Sequence, residues 1–241
     1  MSYLLIFFTI SLLIILHELG HFLAAKRLGI PIERFSVGLG QKIWGFKMGE
    51  TEYCVSMIPC GGYVMPALKD EESFYKIPLK SRILFSLGGP AANILGAFLG
   101  LSLMNIVKLG CSVNSVIYLP LEQIWQMAMQ IGAAIPLLIS QPEHLSGIVG
   151  IVAAGGTYVG LSFVKLLQFS ILLNVNLAVF NLLPIPPLDG GKIVMGLLRK
   201  IHLPLQRLEM PLTLGGWVLL AGLTVYATAL DLARVAHGML G

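Results

Sequence analysis

Apolar residues in this 241-residue chain gather into long unbroken runs instead of alternating with polar ones. Four runs, at about 3–25, 83–107, 161–184 and 213–236, are long and oily enough to cross a bilayer, which takes roughly 20 residues of helix. A fifth, 116–140, is weaker and interrupted. The pattern predicts an all-α polytopic membrane protein with about four transmembrane helices. No fixed-period repeat or low-complexity linker divides it, so residues 1–241 read as a single membrane domain with inserted loops.

Two segments between the runs follow other periods. Within 38–64, Tyr53, Val55 and Met57 share one face of an extended strand, and the turn-like Met48-Gly49-Glu50 predicts a β-hairpin over 43–58. The segment is too apolar for an ordinary solvated loop. It is expected to re-enter the membrane against protein, the place where non-helical backbone is tolerated at that depth. Over 120–140, Leu121, Ile124, Trp125, Ala128 and Ile131 recur at helical spacing, as in an amphipathic helix on the outer surface or an ordinary packing helix. Gly96 and Gly100 give the second run a small face suited to close helix contact.

Composition agrees with the pattern. Hydrophobic residues make up 56% of the chain and charged residues 12%, about half the charge of a typical soluble domain. The first run carries ionisable residues in its oily core and no basic residue before it, so it reads as a retained span rather than a signal peptide. Lys and Arg concentrate in 26–82 and 192–207, which places those loops in the cytoplasm and both termini outside. These loops account for the net charge of +4, and nucleic acid is not an expected partner. Cys54, Cys60 and Cys111 form no C-x-x-C pair and read as structural.

The first run contains the chemistry. His17-Glu18-Leu19-Gly20-His21 is an H-E-x-x-H pattern, which on a helix puts both imidazoles on one face with the glutamate beside them. Ionisable residues at mid-membrane cost roughly 2.5 kcal/mol or more each unless they are paired or functional. A catalytic zinc takes a third protein ligand and keeps one position for water. The carboxylates available to other spans or their ends are Asp189 and Asp231. Asp189 follows a segment in which Pro184, Pro186 and Pro187 forbid a continuous helix, while Gly190 and Gly191 allow tight backbone approach. Asp231 lies three residues before Arg234 near the outer end of the last run and reads as a surface pair.

With HELGH at 17–21, GGYV at 61–64, GGPAAN at 88–93 and NLLPIPPLDGG at 181–191, the chain resembles the site-2 protease family of intramembrane zinc metalloproteases. It is most similar to the bacterial regulator-of-sigma-E protease branch. The resemblance implies one zinc ion per chain held by His17, His21 and Asp189, with Glu18 as general base. It further implies that Asn93 and Asn181 position the substrate backbone or support the site. The implied substrate is the transmembrane segment of a single-pass protein such as an anti-sigma factor, or a remnant signal peptide, in the cytoplasmic (inner) membrane. The active site would lie toward the cytoplasm.

Two departures from the branch stand out. About 53 residues separate the second and third runs, too few for the PDZ domains usual there, and Ile148 stands where the family commonly has proline after Ser-Gly. Two other readings compete with the protease: a catalytically inactive membrane scaffold of the same family, and a divalent-cation transporter. The transporter is disfavoured because the chain has no internal repeat and no series of polar residues along a pathway.

Overall fold

The computed structural model describes residues 1–67, 73, 76–201 and 206–238. Among these, seven α-helices accompany one small sheet. In chain order they are α1 (Ser2–Arg27), strands β1 (Ile32–Met48) and β2 (Thr51–Pro66), α2 (Leu79–Leu109), α3 (Leu119–Ser140), α4 (Ile148–Val159), α5 (Phe163–Asn181), α6 (Asp189–Ile201) and α7 (Gln206–Ala236). Four helices are long and apolar enough to cross a membrane: Ser2–Arg27, Leu79–Leu109, Phe163–Asn181 and Met210–Ala236. These match the four runs in the sequence within a few residues.

The chain folds as two compact units, one of 1–9, 94–179 and 213–241, the other of 10–93 and 180–212. In the second unit, α1 stops at a sequence-encoded signal. Lys26 and Arg27 occupy its last turn, where cations favour the helix dipole. Gly29 then takes a left-handed φ of 68°, and the Ile30 N–H reaches back to the Ala25 carbonyl at 3.0 Å before Pro31 ends the helix. Phe22, Ala25, Ile30, Ile32 and Phe85 form the core beneath this turn, with Phe35, Tyr53 and Val64 of the strands packed against it.

The hairpin turns where the sequence placed it, with Gly49 at φ 63° between Met48 and Thr51. Its strands are longer than the pattern suggested and pair more than once. Phe46 faces Tyr53 in the outer antiparallel arm, and Phe35 lies between Tyr53 on one side and Val64 on the other. Glycines with positive φ at 38 and 40 bend β1 so that its first part can meet both halves of β2. This leaves 42–48 and 62–66 as the sheet's two edge segments. Tyr53, Val55 and Met57 lie on the more open face, while Cys54 and Ser56 between them are buried.

In the first unit, Ala97, Leu101, Ile124, Ile171 and Val175 form the core shared by α2, α3 and α5. A Cβ at Gly100 would lie 2.8 Å from Ile171, so the small residue permits the close packing of α2 and α5 that the sequence suggested. Ile124, Ala128 and Ile131 of α3 line one face turned toward this core. Ile124 is buried, whereas Leu121 and Trp125 are exposed and Gln123 accepts a hydrogen bond from Asn105. Residues 110–162 are occupied chiefly by α3 and α4, and no strand occurs there among the described residues.

Asp231 differs from its expectation as a surface pair. It is fully buried and accepts the backbone N–H groups of Gly147 and Gly150 at 2.9 and 2.7 Å, capping the start of α4. Arg234 pairs with it at 3.4 Å and also donates to the Leu145 carbonyl at 3.0 Å. Ile148 is the first residue of α4, a position that also suits proline, and Asp231 holds the turn before it.

Candidate metal centre

One turn of α1 carries His17 and His21 on the same face, with ring centroids 4.8 Å apart and both side chains buried. Room for them comes from α2. Gly20 and Gly88 let the two helices approach so closely that a Cβ on Gly20 would sit 2.2 Å from the Gly88 carbonyl oxygen. Gly89 then presents bare backbone to the imidazoles: a Cβ there would lie 2.4 Å from His21 Nε2 and 2.5 Å from His17 Nε2.

The third group arrives from 172 residues away in sequence. After α5 ends, the proline-rich segment makes tight turns, including Ile185 N–H to the Leu183 carbonyl and Leu188 N–H to the Ile185 carbonyl, both at 2.8 Å. Gly190 packs against the Leu182 carbonyl, where a Cβ would be only 2.1 Å away. Asp189, the first residue of α6, is thereby held at 3% exposure with Oδ2 at 3.1 Å from Nε2 of both His17 and His21. The two Nε2 atoms are 3.2 Å apart.

This triangle fits a metal ion. Tetrahedral zinc with ligand arms of about 2.0–2.1 Å separates neighbouring ligand atoms by roughly 3.3–3.4 Å, close to the edges observed. Tautomer chemistry points the same way. His21 Nδ1 lies 2.8 Å from the Phe85 carbonyl, which only accepts, so Nδ1 carries the hydrogen and the neutral ring turns its Nε2 lone pair toward Asp189. Lone pairs converging at this distance repel unless a proton or a metal ion stands among them.

Lys192 donates to the other oxygen of Asp189, Oδ1, at 3.0 Å.

Glu18 is partly buried beside the two imidazoles. The backbone of Gly62 in β2 lies directly against it, since a Cβ on Gly62 would be 3.2 Å from Glu18 Cγ. The arrangement can hold a divalent cation with a carboxylate poised next to it. His17, His21 and Asp189 are thus brought together within the second unit.

Asn93, one turn beyond Gly89 on α2, is fully buried, and neither its Nδ2 nor its Oδ1 has a partner among the described residues. Asn181 is half-buried at the end of α5. Sequence reasoning passed over Gly89 and Lys192. The paired glycines before Pro90, and a cation three residues after the acidic ligand candidate, were the available signals.

A model of peptidase family M50 matches residues 5–223. The chain belongs to peptidase family M50. This is the family of the site-2 proteases that its motifs resemble. Among the relatives of this M50 chain is a protein of Clostridium perfringens named "Putative zinc metalloprotease". It is 27% identical over an alignment covering 92% of this chain and 96% of the relative. That alignment is 327 positions long, so the relative contains sequence that this M50 chain lacks. A Campylobacter jejuni relative of the same description is 25% identical over 94% of this chain and 92% of its own length. The regulator of sigma E protease of Haemophilus influenzae is 40% identical over 99 residues, covering 36% of this chain and 22% of that protein.

Proposed function

We propose that this M50 peptidase is a zinc-dependent intramembrane endopeptidase with one zinc ion per chain, held by His17, His21 and Asp189. It would cleave a peptide bond within or near the transmembrane segment of a single-pass membrane protein, such as an anti-sigma factor, or of a remnant signal peptide. The observation that carries this reading is the convergence of two imidazole nitrogens and one carboxylate oxygen within 3.2 Å of one another. The zinc metalloprotease names of the relatives support the choice of metal.

His17, His21 and Asp189 would hold the zinc, which would supply Lewis-acid chemistry toward the scissile carbonyl and the attacking water. Glu18 would take the proton from the attacking water and return it to the leaving amine, acting as general base and then as general acid. Asn93 and Asn181 position the substrate backbone or support the site. A peptide bond inside a helix is shielded by its own hydrogen bonds, so the substrate must unwind locally and needs backbone partners while it does. The edge segment 62–66 offers them, with Gly62 lying against Glu18. The concentration of Lys and Arg in 26–82 and 192–207 supports a site on the cytoplasmic side of the inner membrane, with both termini outside.

The test is cleavage of a co-expressed single-pass substrate by Glu18→Gln. The variant should retain zinc and lose about 10²- to 10⁴-fold in rate, the range for removing a general base. Undiminished cleavage with metal retained would remove Glu18 from that role.

A further inference from the structure

Asp189 divides its two oxygens between different neighbours. Oδ2 faces both imidazoles at 3.1 Å, while Oδ1 accepts a hydrogen bond from Lys192 Nζ at 3.0 Å. The carboxylate side chain is 4% exposed and that of Lys192 is 47% exposed, so the ammonium reaches inward from the open side of α6 to a buried anion. With one partner buried, this charge-assisted bond is shielded far better than an ordinary surface pair.

Helix stability does not explain a lysine at this position. Position 192 is the fourth residue of α6, where the positive end of the helix dipole disfavours a cation. What the lysine does contribute is orientation. The terminal torsion of an aspartate is broad, because it turns about an sp³–sp² bond, so a carboxylate held by its backbone alone can rotate either oxygen forward. A donor fixed on Oδ1 removes that freedom and leaves Oδ2 facing the imidazoles.

We propose that Lys192 is a positioning residue that locks Asp189 into presenting a single oxygen to the metal, and so sets how tightly the metal is held. The proposal rests on the zinc reading above and deepens it, adding to the two imidazoles and the carboxylate the residue that aims the carboxylate.

The experiment measures zinc affinity by chelator competition on the purified full chain for wild type, K192M, K192R, D189N and the K192M/D189N double variant. K192M should weaken zinc binding about 10- to 100-fold, the usual cost of losing a partner behind a metal ligand. K192R should recover most of that loss. Because Lys192 acts through Asp189, adding K192M to D189N should cost nothing further, an outcome that a merely structural role would not produce. Wild-type zinc affinity in K192M, or an equal loss from K192M with and without Asp189, would overturn the proposal. Wild-type affinity in D189N would instead overturn the zinc reading itself, and the positioning role with it.

Discussion

Two buried carboxylates, Asp189 and Asp231, are nearly equal in burial and opposite in circumstance. Asp231 faces two backbone N–H groups and a guanidinium, all donors, which leave its charge fully answered by the protein. Asp189 faces one ammonium on Oδ1 and two imidazole Nε2 atoms on Oδ2. One of those imidazoles has its hydrogen committed elsewhere, to the Phe85 carbonyl. A buried anion surrounded by donors is part of the scaffold, whereas one facing an imidazole whose hydrogen is committed elsewhere leaves a place for a cation. Burial alone does not separate the two cases; the identity of the facing atoms does.

Exchanging each carboxylate for an amide is expected to give opposite phenotypes. Asp231→Asn should cost about 3–5 kcal/mol of stability, because it leaves Arg234 and the start of α4 without their buried anion. The measurement is a thermal or denaturant midpoint in detergent, with zinc affinity unchanged in whatever fraction stays folded. Asp189→Asn should instead abolish tight zinc binding while leaving the midpoint of the metal-free protein close to wild type. If both variants lost stability and neither lost metal, the contrast between the two sites would be false.

A smaller effect is expected from Gly89→Ala. Its new methyl would press on both Nε2 atoms at 2.4 and 2.5 Å, and overpacking of this kind costs about 1–3 kcal/mol. The strain falls on the imidazoles, so it should be visible as a roughly 10- to 100-fold weaker zinc affinity in chelator competition.

The smallest effect belongs to the sheet. Lys42 and Arg34 both donate to Glu52 and hold its carboxyl below the usual range. A carboxyl with a depressed folded-state pKa contributes stability that is fully present above its unfolded-state value and is lost as pH falls through the folded-state value. Hydrogen exchange in β1 and β2 should therefore quicken modestly as pH falls below about 4.3, and Glu52→Gln should flatten that dependence.

What was legible in the sequence follows the range of the interactions. His17, Glu18 and His21 were readable because helix geometry fixes the direction of residues four apart, whatever the rest of the chain does. Asp189 was readable because the membrane spans contain few carboxylates and because its proline-rich approach and following glycines marked a constrained backbone. The turn at Gly49 was readable from local chemistry as well.

The rest depends on which elements meet. Gly89 matters only once α2 crosses α1 at Gly20, and nothing local to GGP announces that crossing. The double pairing of β1 depends on bends at Gly38 and Gly40 that bring distant segments into register. Asp231 misled because the nearby Arg234 supplied a sufficient local partner, while its backbone partners lie more than 80 residues away.

In the proposed centre, two imidazoles and one carboxylate of this chain bind zinc together. X-ray absorption at the zinc edge of the purified protein distinguishes this ligand set from the alternatives. The spectrum should show nitrogen and oxygen neighbours at about 2.0–2.2 Å, with the outer-shell signature of two imidazole rings falling to one in His17→Ala. A sulfur shell near about 2.3 Å, or an imidazole signal unchanged by that substitution, would contradict this ligand set.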